Sequence, residues 1–401
     1  MLRRFTALYI RDFRYVLVNN AFASLGMGMD FLTQGWLVLT ITDSPFWVGM
    51  NAGLRGAGLV AFGPLGGVIV DRVDPRKALI LAQSIWSQIL LVLGVLIITD
   101  NIELWHVLIA SPILGMVFGV VLPANNALIY GTVGPQRLLN AMASRMVIFN
   151  LTRMLGSVLA GILITTFGIG VCYIFIAGSL GLSWVPLVFV KSSAPLSEIR
   201  ESIWHTLTEG FSYVSRNSQL MGLLALSILM EMYGFSFLVM LPVIAREVLD
   251  VGASGLGLLS AANSFGAFIG TLTLAIMGNF QAKGTMLTVT SGATGVLLIL
   301  FGFSPWFGTS LLIVGFIGGV IMAYDATMAT VLQLVSTNEM RGRVLGLYGL
   351  TFGFTHVGGL FSGIVATIVN APFAIGFGGL VIISYVIGFL RRSRFQNLGD
   401  V

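Results

Sequence analysis

The chain has 401 residues, of which 56 % are hydrophobic and 9 % charged, whereas a water-soluble fold keeps about a quarter of its residues charged. It cannot cover itself with polar side chains, so a water-soluble globule is excluded and its solvent is lipid; the mean hydropathy is +0.96. The net charge of +5 would suggest nucleic acid in a soluble protein, but here the placement of the basic residues accounts for it, and no nucleic-acid partner is expected.

A lipid-exposed backbone must satisfy its own hydrogen bonds, which leaves helices or closed barrels. The apolar runs are long and do not alternate, so they read as helices. The chain begins with MLRRFTALYIRDFRY, a short basic amphipathic piece. The apolar run after it is too long for a cleavable signal peptide, and no small-residue cleavage site is evident. Six apolar segments follow, at roughly 15–41, 45–70, 77–98, 104–129, 141–166 and 169–190, each near the ~20 residues that span a bilayer. Thr42-Asp43-Ser44-Pro45, Thr99-Asp100-Asn101 and Phe167-Gly168-Ile169-Gly170 supply turns between them. The polar interval 191–218 places Ile199, Ile203, Leu207, Phe211 and Val214 at three- and four-residue steps, a pattern for an amphipathic helix along the membrane surface. Six more apolar segments lie at roughly 219–245, 255–278, 284–303, 307–334, 343–368 and 371–390.

The expected organisation is a six-helix half over 1–190, a cytoplasmic linker over 191–218 and a second six-helix half over 219–401. Repetition supports it. A shift of 208 residues brings Gly49 onto Gly257 and Gly58 onto Gly266, and a shift of 202 brings Gly156 onto Gly358 and Gly161 onto Gly363. The fold class is therefore all-α and polytopic, with twelve transmembrane helices in two pseudo-symmetric halves. With both termini in the cytoplasm, cytoplasmic segments and helix ends hold 18 of the 21 Lys and Arg residues. That excess is the usual sign of the cytoplasmic side. The single cysteine, Cys172, excludes an internal disulfide and argues against a cysteine metal site.

Several ionisable residues sit far from any helix end: Asp30, Arg55, Arg153, Glu231, Asp325 and His356. A charge facing lipid at mid-membrane costs at least ~2.5–3.5 kcal/mol, so these residues must face the interior, pair, or line water. Their common depth points to a polar cavity between the halves, where transporters of this architecture bind substrate. Three carboxylates meet two arginines, so full pairing leaves one carboxylate over, and that group is a candidate proton carrier. Asp30 or Glu231 is expected to bind the proton with Arg55 or Arg153 as counter-charge, and Asp325 with His356 to form a second relay. The alternative is purely structural: Asp30 and Glu231 neutralise the two arginines, Asp325 bonds across a helix interface, and His356 packs. Buried amides and deformable or flat side chains at the same depth, Gln34, Asn150, Met230, Tyr233, Asn263 and Tyr324, are candidates to line the cavity. No phosphate-binding loop, dinucleotide fingerprint, nucleophile elbow or metal-ligand spacing is present, so neither an enzyme nor a cofactor nor a metal is expected.

One loop is more specific. GGVIVDRVDPRK resembles the signature loop of the major facilitator superfamily, Gly-three residues-Asp-Arg-x-Gly-Arg-Arg, matching at Gly67, Asp71, Arg72 and Arg76. Asp74 stands where that pattern has Gly, and Pro75 where it has Arg. The resemblance covers nearly the whole chain. DFRYVLVNNAFASLGMGMDFLTQGWLVLTITDSPFWVGMNAGLRG, NLTRMLGSVLAGIL, GFSYVSRNSQL and RGRVLGLYGL are similar to the branch that holds macrolide-efflux proteins and catecholate-siderophore (enterobactin) exporters. It implies a major facilitator fold and export of amphipathic molecules, drug-like or siderophore-like, by proton antiport with alternating access. It also implies a cytoplasmic gate at the Gly67–Arg76 loop; the expected setting is a bacterial inner membrane, with a small-molecule substrate, protons and the lipid bilayer as partners of a monomer. The alternatives are an importer of a nutrient or lysophospholipid on the same fold, a non-transporting sensor or accessory protein, and a passive channel.

Overall fold

The computed structural model describes residues 6–191, 203–278, 282–337 and 339–391. They form helices α1 (Arg11–Thr42), α2 (Pro45–Arg72), α3 (Pro75–Ile98), α4 (Leu104–Val133), α5 (Leu138–Phe167) and α6 (Ile169–Ser183). The short helix α7 (Ile203–Arg216) precedes α8 (Ser218–Val248), α9 (Gly252–Met277), α10 (Lys283–Gly302), α11 (Phe307–Val335), α12 (Arg341–Ile368) and α13 (Ala371–Arg391). Among the described residues, ten helices are long and apolar enough to cross a membrane. With α1 and α2, of 32 and 28 residues, they make the twelve expected from the sequence. The amphipathic interval is helical from Ile203 onward, while its first part, including Ile199, lies outside the described residues.

Local chemistry explains the helix ends. Asp74 accepts a hydrogen bond from the Arg76 amide at 2.9 Å, and Pro75 occupies the first turn of α3. The two departures from the superfamily signature thus build a helix start, with a capping carboxylate followed by the residue whose missing N–H costs nothing there. Glu103 and His106 cap α4 reciprocally, and Asn217 accepts from the amides of Gln219 and Leu220 at the start of α8.

The chain divides into two compact units. Unit 1 comprises Met1–Asp43, Leu54–Ile199 and Val251–Ala261; unit 2 comprises Ser44–Gly53, Arg200–Asp250 and Ala262–Val401. Within unit 1, α1 packs on α5 and α6, and α3 on α4 and α6. Within unit 2, α10 packs on α11 and α13, and α12 on α8 and α13.

The repeated glycines are the points of closest approach, and they recur on equivalent helix pairs. In unit 1, Gly58 of α2 abuts the Pro112 carbonyl of α4 and Gly156 of α5 the Leu25 carbonyl of α1. In unit 2, Gly266 of α9 abuts the Gly315 carbonyl of α11 and Gly358 of α12 the Met232 carbonyl of α8. A β-carbon at any of these four positions would overlap backbone. The remaining repeat glycines meet each other. Gly161 lies on Gly257 within unit 1, where an added β-carbon would stand 3.2 Å from the Gly257 α-carbon, and Gly49 lies on Gly363 within unit 2 at 2.9 Å. Helices in lipid gain nothing by hiding apolar surface from one another, so contact of this kind is what holds them together.

Gly58→Leu or Gly266→Leu should each cost about 1–3 kcal/mol by overpacking. The measurement is the melting temperature and monodispersity of the detergent-purified protein. Gly67→Leu, at a glycine with no atom within 4 Å of its would-be β-carbon, should leave both unchanged.

Candidate functional site

Unit 1 holds a buried ion pair. Asp30 and Gln34 are one turn apart on α1 and share a face. The Arg55 guanidinium on α2 reaches both: Nη2 donates to Asp30 Oδ2 at 2.7 Å and Nη1 to Gln34 Oε1 at 2.6 Å. Gln34 Nε2 passes the chain on to Ser111 Oγ of α4 at 2.9 Å, and that hydroxyl donates to the Val107 carbonyl. The Trp86 ring of α3 lies 5.4 Å from Arg55 Cζ. Four helices thus converge on one guanidinium. Asp30 is fully buried, while the Arg55 side chain keeps 14 % exposure. Around this pair three buried polar atoms have no hydrogen-bond partner among the described residues: Asp30 Oδ1, Trp86 Nε1 and the Tyr173 hydroxyl of α6. Sequence reasoning found Asp30, Arg55 and Gln34 but missed Trp86, Ser111 and Tyr173. A serine or an aromatic residue in an apolar helix carries no signal until the neighbouring helices are in place.

Arg153 stands apart from that pair. It lies on α5, whose outward face carries Val147, Leu151, Leu155 and Ile162, and Arg153 falls on the opposite side. Its backbone is pinned: a β-carbon on Gly28 would stand 2.5 Å from the Arg153 carbonyl, and Ser157 Oγ donates to that carbonyl at 3.1 Å. Its side chain is half-buried and makes no hydrogen bond or ion pair among the described residues. Asn150, one turn earlier, is buried and donates to its own helix at the Met146 carbonyl, 3.0 Å away.

Unit 2 collects the carboxylates. Glu231 of α8 is buried and accepts from the Thr355 hydroxyl of α12. Asp325 of α11 accepts from the Tyr348 hydroxyl of α12. The two carboxylates are within electrostatic reach of each other, and neither makes an ion pair among the described residues. Buried Tyr324 lies in reach of both, with Ser227 of α8 beside its hydroxyl.

The backbone is irregular at this point. From Met230 to Phe235, α8 opens into a π-helical turn. Opposite it, α12 tightens: the amides of Gly353, Thr355 and His356 donate to carbonyls three residues back, at 3.2, 3.3 and 3.2 Å. Such interruptions recur at functional positions. Ser236 Oγ, just past the π turn, donates to the Met232 carbonyl at 2.6 Å, and Gly358 gives that carbonyl room. The other sequence candidates are dispersed. Met230 is buried beside Gly234, and Tyr233 turns its ring into an edge-on cluster with Phe361 and Phe377 at 5.9 and 6.4 Å. Asn263 packs on Gly318 at the α9–α11 crossing. His356 follows Thr355 and so points about 100° away around the helix.

In the signature loop, Arg72 is exposed, while Arg76 is half-buried and its Nη1 donates to the Val190 carbonyl beyond α6 at 2.5 Å. The Asp71 side chain lies outside the described residues. Of the glycines before the loop, Gly66 abuts the Gly119 carbonyl of α4, and a β-carbon on Gly119 would stand 3.1 Å from the Gly63 α-carbon, whereas a β-carbon on Gly67 would meet nothing within 4 Å. Among the described residues, no group of three His, Cys, Asp or Glu side chains could hold a metal ion.

Comparison with known proteins bears on what such an arrangement serves. The sequence profile of the family described as transmembrane secretion effector matches residues 3–397. The chain is 26 % identical over 399 residues to the enterobactin exporter EntS of Shigella flexneri, covering 95 % of this chain and 93 % of that protein. The same identity and coverage hold for EntS of Escherichia coli O81 (strain ED1a). Among solved structures, the nucleoside transporter NupG (D323A mutant) superposes with a TM-score of 0.78 at 14 % identity, covering 97 % of this chain and all of that one. A bacterial homologue of the human lysosomal transporter Spinster, inward-facing and unoccupied, gives 0.71 at 13 % identity, covering 98 % and 96 %. Those two likenesses concern the fold. With a profile match along nearly its entire length, the chain belongs to the transmembrane secretion effector family of the major facilitator superfamily, as a multi-pass membrane transporter related to the enterobactin exporter and not an enzyme.

Proposed function

We propose that this transporter exports amphipathic small molecules, drug-like or siderophore-like, across a bacterial inner membrane by proton antiport with alternating access. Both termini lie in the cytoplasm in this reading, and the Gly67–Arg76 loop gates the cytoplasmic side. The observation that carries it is the pair Glu231 and Asp325, two carboxylates in mutual reach, each held by a hydroxyl donor and neither by a cation. A carboxylate pair without a counter-cation at membrane depth takes up a positive charge, and the proton is the one that fits without further ligands. The irregular turns of α8 and α12 support the role, because they let Glu231 and Thr355 meet and leave the backbone there able to rearrange. Relationship to an enterobactin exporter favours outward transport and a siderophore-like cargo. Asp30 has a different part in this assignment. Its carboxylate is engaged by Arg55, so the two charges cancel each other and the pair ties α1 to α2.

Inside-out vesicles containing the protein and energised to acid interior test the coupling. Macrolides, cationic dyes and catecholate siderophores are added in turn, and proton release is followed with a pH-sensitive dye. Release by one class should disappear in Glu231→Gln and fall in Asp325→Asn. Accumulation of any compound without proton release would overturn antiport.

Asp30→Asn should act through stability instead. Removing one partner of a buried pair strands the other, at about 3–5 kcal/mol. The melting temperature of Asp30→Asn should therefore drop sharply, and the double variant with Arg55→Gln should recover most of the loss. Proton release in the double variant should persist if Glu231 and Asp325 carry the proton.

A further inference from the structure

Unit 1 has three charges far from its helix ends, and their accounts do not close. Asp30 and Arg55 meet at 2.7 Å, which leaves Arg153 with one positive charge and no counter-charge among the described residues. A guanidinium at that depth is expensive unless something answers it. Water hydrates such a group but does not neutralise it, and no acidic side chain on α1 or α5 takes the role: Asp30, the one carboxylate of α1 at this depth, is engaged by Arg55, and α5 contains none.

The surroundings are built rather than incidental. Arg153 is anchored where α5 touches α1, with Gly28 against its carbonyl and Ser157 bonded to the same atom, so the base of the side chain is fixed and the residue as a whole is half-buried. It lies on the side of α5 opposite the exposed Val147, Leu151, Leu155 and Ile162. Phe149 and Met146, four and seven residues earlier, fall on the same face and are half-buried like Arg153. The face therefore offers a planar fork of donors beside a flat ring and a deformable thioether.

We propose that Arg153 is a specificity residue that anchors an anionic group of the cargo, a carboxylate, sulfonate or pair of adjacent phenolate oxygens, while the apolar part of the same molecule lies on Phe149 and Met146. The preferred cargo is then an amphipathic anion. This rests on the export reading above but is independent of proton coupling. A failure of antiport leaves the anchor intact, and a failure of the anchor leaves a transporter with another cargo.

The test uses the full-length protein in a non-ionic detergent and three matched probes: 2-naphthoate, its methyl ester and 2-naphthylmethylammonium. Binding is followed by tryptophan quenching and by the shift in melting temperature, at constant ionic strength. The acid should bind about tenfold more tightly than the ester, as expected for a charge-assisted hydrogen-bonded pair. Arg153→Gln should remove that preference without weakening the ester, and Arg153→Lys should retain part of it. Phe149→Ala should weaken acid and ester alike. Equal affinity for acid and ester in the wild type, preference for the ammonium, binding of none of the three, or a preference that survives in Arg153→Gln would each overturn the proposal. Chloride that displaces the acid at equal concentration would do the same, since Arg153 would then hold any small anion. If Arg153→Gln does not fold, the wild-type acid-to-ester ratio and Arg153→Lys still decide.

Discussion

The energetic cost of a charge at mid-membrane is the constraint on which the rest of this structure depends. In a chain with so little polar surface, each deep ionisable residue has to be answered by protein, by water or by cargo. The three solutions here differ in kind. Arg55 is answered fully, by Asp30, Gln34 and the Trp86 face. Glu231 and Asp325 are answered by hydroxyls, which stabilise a carboxylate without cancelling its charge. Arg153 is answered by no side chain among the described residues. The first solution makes a rivet between helices. The other two leave charge that a mobile ion or ligand can compensate, which is what a transporter needs if occupancy is to change its energy.

Packing follows from the same solvent. Lipid gives no hydrophobic reward for helix association, so the helices are held by backbone approach. The repeat glycines are where that approach occurs, and α2 on α4 in unit 1 is echoed by α9 on α11 in unit 2, as α1 on α5 is by α8 on α12. Chemistry is layered onto this frame at the same crossings. Arg153 lies at the Gly28 contact, the Arg55 carbonyl lies against Gly115, and Glu231 lies beside the Met232 carbonyl under Gly358. A duplicated scaffold has diverged in charge while keeping its crossings.

This division explains what could be read from the sequence and what could not. Helix positions were legible because hydropathy is a local property, and the repeat was legible because each glycine contact constrains one position in each copy. The list of deep charges was legible for the same reason. Their partners were not. That Asp30 takes Arg55 rather than Arg153 depends on which neighbour of α1 presents its arginine at the depth and angle of the carboxylate, and no spacing along the chain encodes that. The π turn at Glu231 was equally hidden, since MEMYGF within an apolar run differs little from an α-helical segment; only the close seat of Gly358 on Met232 reveals why the turn is accommodated. The reverse holds for Asp74 and Pro75, where departures from a family pattern are explained by ordinary helix capping.

The charge pattern also bears on energetics. Each elementary charge moved across the membrane gains or loses about 2.3 kcal/mol per 100 mV. A monovalent cation exported for one proton moves no net charge and is driven by the pH gradient alone. A monovalent anion exported for one proton moves two charges in the favourable direction when the interior is negative, so one titrating site uses both components of the gradient. A cationic anchor in unit 1 and one coupled carboxylate pair in unit 2 match that second arrangement.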